Sequence, residues 1–257
     1  MDVCVIGAGP AGALVARELA REGHSVIILE AGPRFEPSDR AARMERSIRP
    51  AYGPDEVWEM GGERDAYQSS GDRSYPLNAA RVKGVGGSTL HWQGMVHRLH
   101  ELDFHRNTKS GYGADWPFGY VELQPYYAQA ERAFGTAGAS DNPFEPPRLE
   151  PHPMPAFNPS FSDAIFAEAC EQTGVPTHSV PNARNSERYE GRSSCVGYGT
   201  CQPVCPSGAK YDATHSIQQA ESLGVRVVDR VPVQRLITGT DPSQVEAAVY
   251  VTPEGAE

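Results

Sequence analysis

Two short runs of aliphatic residues, 3–6 and 26–30, flank a segment in which apolar residues recur with helical spacing. Short continuous apolar runs are typical of strands buried on both faces of a parallel sheet. The segment between them, AGALVARELAREG, ends at Gly23, a residue type that commonly terminates helices. The chain is therefore predicted to begin with a strand–helix–strand unit.

The rest of the pattern predicts fewer regular elements. Residues 33–80 are polar and rich in arginine, proline and glycine, which favours long connections with one short helix. Helices are predicted over 121–134 and 161–173, separated by a proline-rich stretch, 139–160, that must be extended or looped. A further helix is predicted for THSIQQAESLG, and one strand each for VRVVDRVPVQRLITG and QVEAAVYVTPEG.

Composition and charge exclude several classes of function. The 257 residues carry a net charge of −10, which argues against binding to nucleic acid or to anionic membrane surfaces. The sequence contains no apolar run long enough to span a bilayer. The first residues show no basic leader, apolar region and cleavage site of a signal peptide, so a cytoplasmic location is expected.

The first predicted turn carries a phosphate-binding pattern. Gly7, Gly9 and Gly12 form G-x-G-x-x-G between strand and helix, and Glu30 follows at the end of the second strand. In such a turn the glycines permit the tight bend, close approach to a pyrophosphate and close helix packing, and the acid can bind ribose hydroxyls. The pattern predicts a dinucleotide site, against the alternative of a glycine-rich turn without a ligand. It does not by itself separate FAD from NAD.

Three segments in order carry a family resemblance: CVIGAGPAGALVARELAREGHSVIILEAG, GVGGSTLHWQG and DWPFGYVELQPYYAQAERAFG. Together they resemble the glucose–methanol–choline (GMC) oxidoreductases, flavoenzymes that oxidise alcohols and sugars. The resemblance runs along essentially the whole chain and corresponds to the N-terminal portion of a typical member. Within the family the chain looks most similar to sugar and sugar-acid dehydrogenases that carry cysteines before a C-P-x-G-A segment.

The resemblance implies where FAD would bind. The first turn and the end of the second strand would hold its ADP half, through Gly7, Ala8, Gly9, Pro10, Ala11, Gly12, Glu30, Ala31 and Gly32. The second glycine-rich segment would pass the pyrophosphate and flavin, through Gly86, Gly87, Ser88, Thr89, His91 and Trp92. Val233 would contact adenine through its backbone.

His91 and Trp92 raise a separate question. In pyranose oxidases a similar G-G-x-x-x-H-W segment carries the histidine that is joined covalently to the flavin. Other relatives with a similar H-W pair bind FAD without that bond. His91 is therefore predicted either to be an attachment site or to pack against the flavin ring system.

Three of the five cysteines lie close together as Cys195-x5-Cys201-x3-Cys205, followed by Pro206. Converging thiolates in a loop that ends in Cys-Pro are typical of iron–sulfur sites, and three of them would suit a 3Fe–4S cluster. The alternatives are a disulfide with one remaining thiol, or a zinc site with His215 as fourth ligand. The spacing also matches cluster-bearing sugar dehydrogenases of the family, in which this loop passes electrons from flavin to a cytochrome. The other two cysteines, Cys4 and Cys170, are predicted to pack in the core.

The implied activity is removal of a hydride from a CH–OH carbon of a sugar, sugar acid or polyol to the flavin. Electrons would then pass through the cluster to a cytochrome or another acceptor subunit. The family's catalytic histidine lies near the C-terminal end, and no segment here matches it. Six histidines do not lie in a matching context, and none of them is assigned as the catalytic base: His97, His100, His105, His152, His178 and His215.

Two alternatives remain open. One is a non-catalytic flavin- or cluster-binding fragment or subunit that needs a second chain. The other, an NAD(P)-linked flavoprotein reductase, is disfavoured because a second G-x-G-x-x-G is missing.

The predicted fold class is α/β, a Rossmann-like FAD-binding domain with an inserted, partial substrate-side region. The sequence divides into a first FAD-binding part, an inserted helical and proline-rich region, the cysteine loop and a second FAD-binding part: 1–110, 111–190, 191–215 and 216–257. Because a doubly wound sheet needs at least one strand more than the pattern supplies, the second FAD-binding part is expected to be truncated.

Overall fold

A computed structural model describes residues 1–50, 53–241, 243–252 and 255–256. The chain divides into two compact units, each built from separate stretches. Unit 1 comprises Met1–Gln93, Tyr198–Ser207 and Asp212–Glu257, and unit 2 comprises Gly94–Gly197 and Gly208–Tyr211. None of the helices in the described part combines the length and apolarity needed to cross a bilayer. The division into four regions stays a prediction.

The regular elements are numbered here in chain order. The strands are β1 (Val3–Ile6), β2 (Val26–Leu29), β3 (Ala137–Gly138), β4 (Met154–Pro155), β5 (Arg226–Val228), β6 (Val233–Thr238), β7 (Val245–Thr252) and β8 (Gly255–Ala256). The helices are α1 (Pro10–Arg21), α2 (Arg40–Ser47), α3 (Pro54–Val57), α4 (Leu77–Ala80), α5 (Glu101–Phe104), α6 (Arg106–Ser110), α7 (Tyr120–Phe134), α8 (Phe161–Gln172) and α9 (Thr214–Ser222).

Unit 1 is organised around a parallel sheet of order β1-β2-β5. Strands β1 and β2 pair in register from Val3 opposite Val26 to Ile6 opposite Leu29, with α1 as the crossover between them. Helices α1 and α9 pack beside this sheet around a core that includes Ala13, Ile28, Ile217 and other buried residues. The predicted strand–helix–strand unit and the α/β fold class are confirmed.

One segment that is predicted to form a single strand forms two strands in the structure. The segment VRVVDRVPVQRLITG divides into β5, in the parallel sheet, and β6, in a separate antiparallel sheet of order β6-β7-β8. The chain leaves the first sheet where Arg230 adopts a positive φ of 60° and the Val231 N–H bonds to the Glu30 carbonyl. Pro232 follows without an N–H to continue a ladder, so the prediction of one strand was wrong.

The stretch 33–80 contains more structure than the one short helix predicted for it. Helices α2, α3 and α4 lie here. Its apolar side chains join a second core cluster formed by Phe35, Val57, Trp58, Met60, Val82, Leu90 and Val204. These anchors follow no helical or strand period, so hydrophobic patterning could not find them.

The two cysteines outside the triplet have different environments. Cys170, on α8, is buried as predicted. Cys4, on β1, is exposed, so the prediction that it packs in the core was wrong. The run VCVI was interpreted as a strand covered on both faces, whereas only Val3 and Val5 pack against the core of unit 1.

Candidate cofactor-binding site

The first βα corner of unit 1 presents backbone donors to open space. Gly7 has a φ of +101°, and α1 starts at Pro10 after Gly9, with no side chain capping it. Among the described residues, no acceptor bonds to the N–H groups of Ala11 and Gly12. Such a helix N-terminus, without an acidic residue in its first turn, is suited to an anion.

Two glycines of this corner have different spatial roles. A Cβ on Gly12 would lie 2.1 Å from the Gly7 carbonyl oxygen, so only glycine allows α1 to pack this closely against the turn. A Cβ on Gly9 would meet no protein atom within 4 Å. Gly9 thus borders empty space at the helix N-terminus, where a pyrophosphate could approach the backbone.

Glu30 stabilises this corner from the end of β2. Its buried carboxylate accepts hydrogen bonds from the N–H groups of Ala8 and Gly32, each at 2.8 Å. Gly32 in turn lies so close to the Lys83 carbonyl that a Cβ there would approach it to 2.0 Å. Ala31 connects these two residues. Glu30 therefore links the glycine turn to the end of the second strand while retaining lone pairs for ribose hydroxyls.

The second glycine-rich segment packs directly against the first. The Gly86 N–H donates to the Ala8 carbonyl at 2.9 Å, and a Cβ on Gly87 would lie 3.1 Å from the Gly9 Cα. Both glycines have positive φ values, +109° for Gly86 and +57° for Gly87. The two motifs, about 75 residues apart in sequence, thus form one backbone-lined corner.

A third segment, missed by the sequence analysis, completes this corner. The Thr89 hydroxyl donates to the Gly86 carbonyl at 2.5 Å and accepts from the Ala213 N–H at 2.9 Å. Asp212 accepts from the Thr214 N–H and from Arg40, the latter at 2.6 Å. These bonds fix the N-terminal end of α9 beside the second glycine segment. The only sequence signal was a short Asp-Ala-Thr at a predicted helix start.

The residues that follow Gly87 are held by their own turn. The Ser88 hydroxyl oxygen accepts from the Val82 N–H at 3.3 Å, and the Trp92 N–H donates to the Ser88 carbonyl at 3.1 Å. His91 is buried, with Nε2 3.0 Å from the Ala80 carbonyl oxygen. Because a carbonyl can only accept, Nε2 carries the proton in this arrangement. The contact orients the imidazole, and the choice between covalent attachment and packing against the flavin ring system stays a prediction.

Val233 belongs to neither of the two glycine-rich segments. It is the first residue of β6 and pairs with Tyr250 of β7. Val233 is half-buried at the start of this strand. Its backbone contact to adenine stays a prediction.

The three clustered cysteines fall in different units. Cys195 belongs to unit 2, where its thiol accepts from the Gly197 N–H at 3.4 Å. Cys201 and Cys205 belong to unit 1, and the Cys205 sulfur lies 3.7 Å from the Ser207 hydroxyl. Across the described residues, no three His, Cys, Asp or Glu side chains are gathered to hold a metal ion, and none of the five cysteines forms a disulfide. The cluster stays a prediction based on thiolate chemistry and spacing.

Two curated proteins are similar in sequence to most of this chain. It is 32% identical to the fructose dehydrogenase large subunit of Gluconobacter japonicus, over 98% of this chain and 49% of that protein. It is 28% identical to the gluconate 2-dehydrogenase flavoprotein of Pantoea cypripedii, over 74% of this chain and 36% of that protein. The chain thus spans at most about half the length of the curated relatives it matches.

The fold and the family are independently supported. The formate oxidase of Aspergillus oryzae matches 99% of this chain and 42% of its own, with a TM-score of 0.53 at 20% identity, which supports the fold. The family described as FAD dependent oxidoreductase matches residues 2–257. The chain belongs to the FAD dependent oxidoreductase family, as a member of the glucose–methanol–choline type that its three motifs predicted.

Proposed function

We propose that this chain is the FAD-binding part of an enzyme that oxidises the CH–OH group of a sugar, a sugar acid or a polyol. The observation that carries the proposal is the backbone-lined corner of unit 1, in which Gly86 and Gly87 pack on Ala8 and Gly9 beside the α1 N-terminus. Relatives named fructose dehydrogenase and gluconate 2-dehydrogenase support the substrate class.

The corner fits FAD by its donor chemistry. The N–H groups of Ala11 and Gly12 and the α1 dipole would bind the pyrophosphate, and Glu30 would bind ribose hydroxyls. The buried His91, oriented by the Ala80 carbonyl, would support one edge of the ring system. When bound, FAD supplies the hydride acceptor, and these residues orient it.

The loop that contains Cys201 and Cys205 is anchored next to the second glycine segment. Its Pro203 carbonyl accepts from the Trp58 indole N–H at 2.9 Å, and Val204 is buried in the cluster that also holds Leu90. Gln202 accepts from the Gln93 side chain at 3.1 Å. Because Leu90 and Gln93 flank His91 and Trp92, the loop is fixed close in structure to the segment expected to line the flavin.

We therefore extend the proposal to electron transfer. An iron–sulfur cluster held by Cys195, Cys201 and Cys205 would supply one-electron acceptance beside the flavin, and a cytochrome or similar subunit would take the electrons onward. The support is the spacing of the thiolates and the anchoring of the loop. A disulfide or a zinc site would replace this relay, and metal analysis separates the three.

The test uses protein purified without oxygen. We expect a flavin absorption spectrum, together with iron and acid-labile sulfide in a ratio near that of a 3Fe–4S cluster. A protein that stays colourless after incubation with excess FAD would overturn the first proposal. A flavin-loaded protein that contains zinc or no metal would overturn only the relay.

Activity and flavin attachment need separate measurements. Dye reduction is recorded with a panel of sugars, sugar acids and polyols, for this chain alone and together with the unmatched half of a relative. Reduction only in the second case would favour a flavin-binding part that needs further polypeptide. Acid precipitation then shows whether His91 holds the flavin covalently, since a yellow supernatant excludes that bond.

A further inference from the structure

Three extended segments of unit 2 lie side by side and are joined by backbone hydrogen bonds. They are 94–96, 181–185 and 209–211. The Ala183 N–H donates to the Gly94 carbonyl at 2.7 Å, and the Tyr211 N–H donates to the Ala183 carbonyl at 2.8 Å. The first segment starts two residues after Trp92, so it continues directly from the stretch that is expected to line the flavin.

One face of these segments packs against α7. The Tyr211 ring lies 4.7 Å from the Phe134 ring at the end of that helix. Four side chains on this face are fully buried: Ala183, Asn185, Ala209 and Tyr211. Because side chains alternate along an extended backbone, Asn182 and Arg184 lie on the opposite face. Met95, the partner of Asn182, shares that face and is 53% exposed, so the face is accessible at this point.

The accessible face carries two cations side by side. Arg184 and Lys210 are antiparallel partners, and the hydrogen bonds on either side of them join their chain neighbours. In such a pair the Cα atoms lie about 4.5 Å apart, and like charges directly opposite each other are destabilising. Lys210 is only 1% exposed, whereas Arg184 is half-buried, so Arg184 is the cation that a ligand can reach.

Arg184 has no acidic partner in the described part of the chain. Its guanidinium lies over the Phe157 ring, 4.1 Å from the centroid, and its Nε is buried without an acceptor. Three other arginines of unit 2 each contact a carboxylate: Arg98, Arg132 and Arg148. In a chain with a net charge of −10, Arg184 is thus a cation whose donors are not matched by an anion.

This arrangement has the chemistry of a carboxylate site. A guanidinium presents a planar fork of donors that binds a carboxylate through two parallel hydrogen bonds. The Phe157 ring holds the fork in one plane, which reduces the entropy lost when an anion binds. A bound carboxylate would also offset the repulsion between Arg184 and Lys210. A sugar acid carries such a group, whereas a neutral sugar or a polyol does not.

We propose that Arg184 binds the carboxylate of a sugar acid, and that the substrate therefore belongs to this class. The inference rests on the proposed function, which leaves sugars, sugar acids and polyols open, and selects one of the three. Arg184 would hold one end of the substrate and would take no part in hydride transfer. Its role is to determine specificity.

The test compares two probes, D-gluconate and D-sorbitol, which differ only in whether the first carbon carries a carboxylate or an alcohol. Calorimetric titrations are made on the protein with and without FAD. We expect gluconate to bind at least about tenfold more tightly than sorbitol, because charge-assisted hydrogen bonds form with gluconate alone. Gluconate should also protect Arg184, but not Arg188, from modification by phenylglyoxal, followed by peptide mass spectrometry.

Three substitutions sharpen the test. Arg184→Gln should weaken gluconate binding at least about tenfold and leave sorbitol binding unchanged. Arg188→Gln, the matched control, removes the same charge from an exposed position and should change neither affinity. Arg184→Lys, which keeps the charge but not the planar fork, should give an intermediate affinity for gluconate. Thermal melts confirm that the variants remain folded.

The outcomes that would overturn the inference are specific. They are equal affinity for the two probes, undetectable binding of gluconate, or a gluconate affinity that Arg184→Gln does not change. Acetate that binds as tightly as gluconate would also overturn it, because that result indicates a general anion site. A protein that binds gluconate through Arg184 but takes up no FAD would support the carboxylate site and overturn only the proposed function.

Discussion

Unit 1 and unit 2 use polar groups in opposite ways. The corner of unit 1 is lined by backbone N–H groups, and its glycines leave space open beside them. Unit 2 instead buries charged side chains against one another. Arg98 and Arg148 both contact Glu131, and all three side chains are at most 8% exposed. Unit 1 therefore has backbone donors available for an external anion, whereas the buried charges of unit 2 around Glu131 neutralise one another.

The ionic cluster of unit 2 is saturated around Glu131. Arg98 binds it through Nε and Nη2, at 2.8 and 2.9 Å, and Arg148 also bonds to Glu145 at 2.7 Å. Burial alone would raise the pKa of the Glu131 carboxyl, but hydrogen bonds from both arginines hold that pKa below its ordinary value. No anion from outside is needed here, whereas the α1 N-terminus of unit 1 has donors to spare.

The largest expected effect on stability comes from a substitution that breaks the ionic cluster around Glu131. Glu131→Gln leaves the buried Arg98 guanidinium without a counter-charge, whereas Arg148 keeps Glu145, and we expect unit 2 to lose about 3–5 kcal/mol of stability. Glu150→Gln is the matched control, because its partner Arg132 is about half exposed and the pair contributes at most about 1 kcal/mol. Hydrogen exchange resolved by peptide measures both. Equal effects of the two substitutions would contradict the contrast drawn between the units.

The next prediction fills the open space of unit 1. Gly9→Ala adds a methyl group that meets no protein atom, so the melting temperature of the protein without cofactor should stay unchanged. The same methyl group would occupy the position of the pyrophosphate, and we expect FAD affinity to fall about a hundredfold, or about 2.7 kcal/mol. Gly12→Ala, whose Cβ collides with the Gly7 carbonyl, should lower both quantities. Unchanged FAD titrations for Gly9→Ala would place the cofactor elsewhere.

A smaller effect tests the third segment of the corner. Thr89→Val removes the hydroxyl that joins Gly86 to Ala213 and leaves a buried N–H unpaired, at a cost of about 1–3 kcal/mol. We expect weaker FAD binding and a shifted flavin spectrum, with recovery in Thr89→Ser, which keeps the hydroxyl. Flavin titration and absorbance measure both, and a serine variant no better than valine would remove the hydroxyl from the explanation.

The smallest effect is a pH dependence of unit 2. His152 has a nearly fully buried side chain, and both ring nitrogens lack a hydrogen-bond partner among the described residues. Burial, and then the charge of Arg148, lower the pKa of His152 below its ordinary value of 6.5, against the opposing influence of Glu131 and Glu145.

The unfolded chain therefore binds the His152 proton at a higher pH than the folded protein. Stability from this residue is complete above about pH 6.5 and is lost as the pH falls below that value. Urea unfolding of unit 2, measured at several pH values, should show this decline, and His152→Phe should flatten it. An identical pH profile in the variant would contradict the assignment.

The sequence predicts unit 1 well where local rules decide the structure. Gly7, with its positive φ, and Gly12, whose Cβ would collide with the Gly7 carbonyl, indicate a turn that requires glycine at both positions, and the periodicity of α1 follows from one buried face. The position of Glu30 follows from the length of the strand–helix–strand unit. Local patterns of this kind are read directly from residue type and spacing.

The features that could not be predicted from the sequence depend on contacts between residues that are far apart in the chain. The bond between Thr89 and Ala213 joins residues 124 positions apart, and the burial of Val204 beside Trp58 brings the cysteine loop into the core of unit 1. The exposure of Cys4 depends on which face of β1 packs against the core, and only Val3 and Val5 do so. Each of these is decided by tertiary packing, which overrides what a short window of sequence indicates.

The discontinuity of unit 1 has a consequence for biosynthesis. Its core combines Ala13 of α1 with Ile217 and Ala220 of α9, which leave the ribosome some two hundred residues later. During synthesis the glycine turn and α1 therefore lack their packing partner, α9, until unit 2 has been translated. We therefore expect flavin to bind only after α9 has been translated, because α9 packs in the same core as α1 and the Ala213 N–H bonds to Thr89 of the second glycine segment.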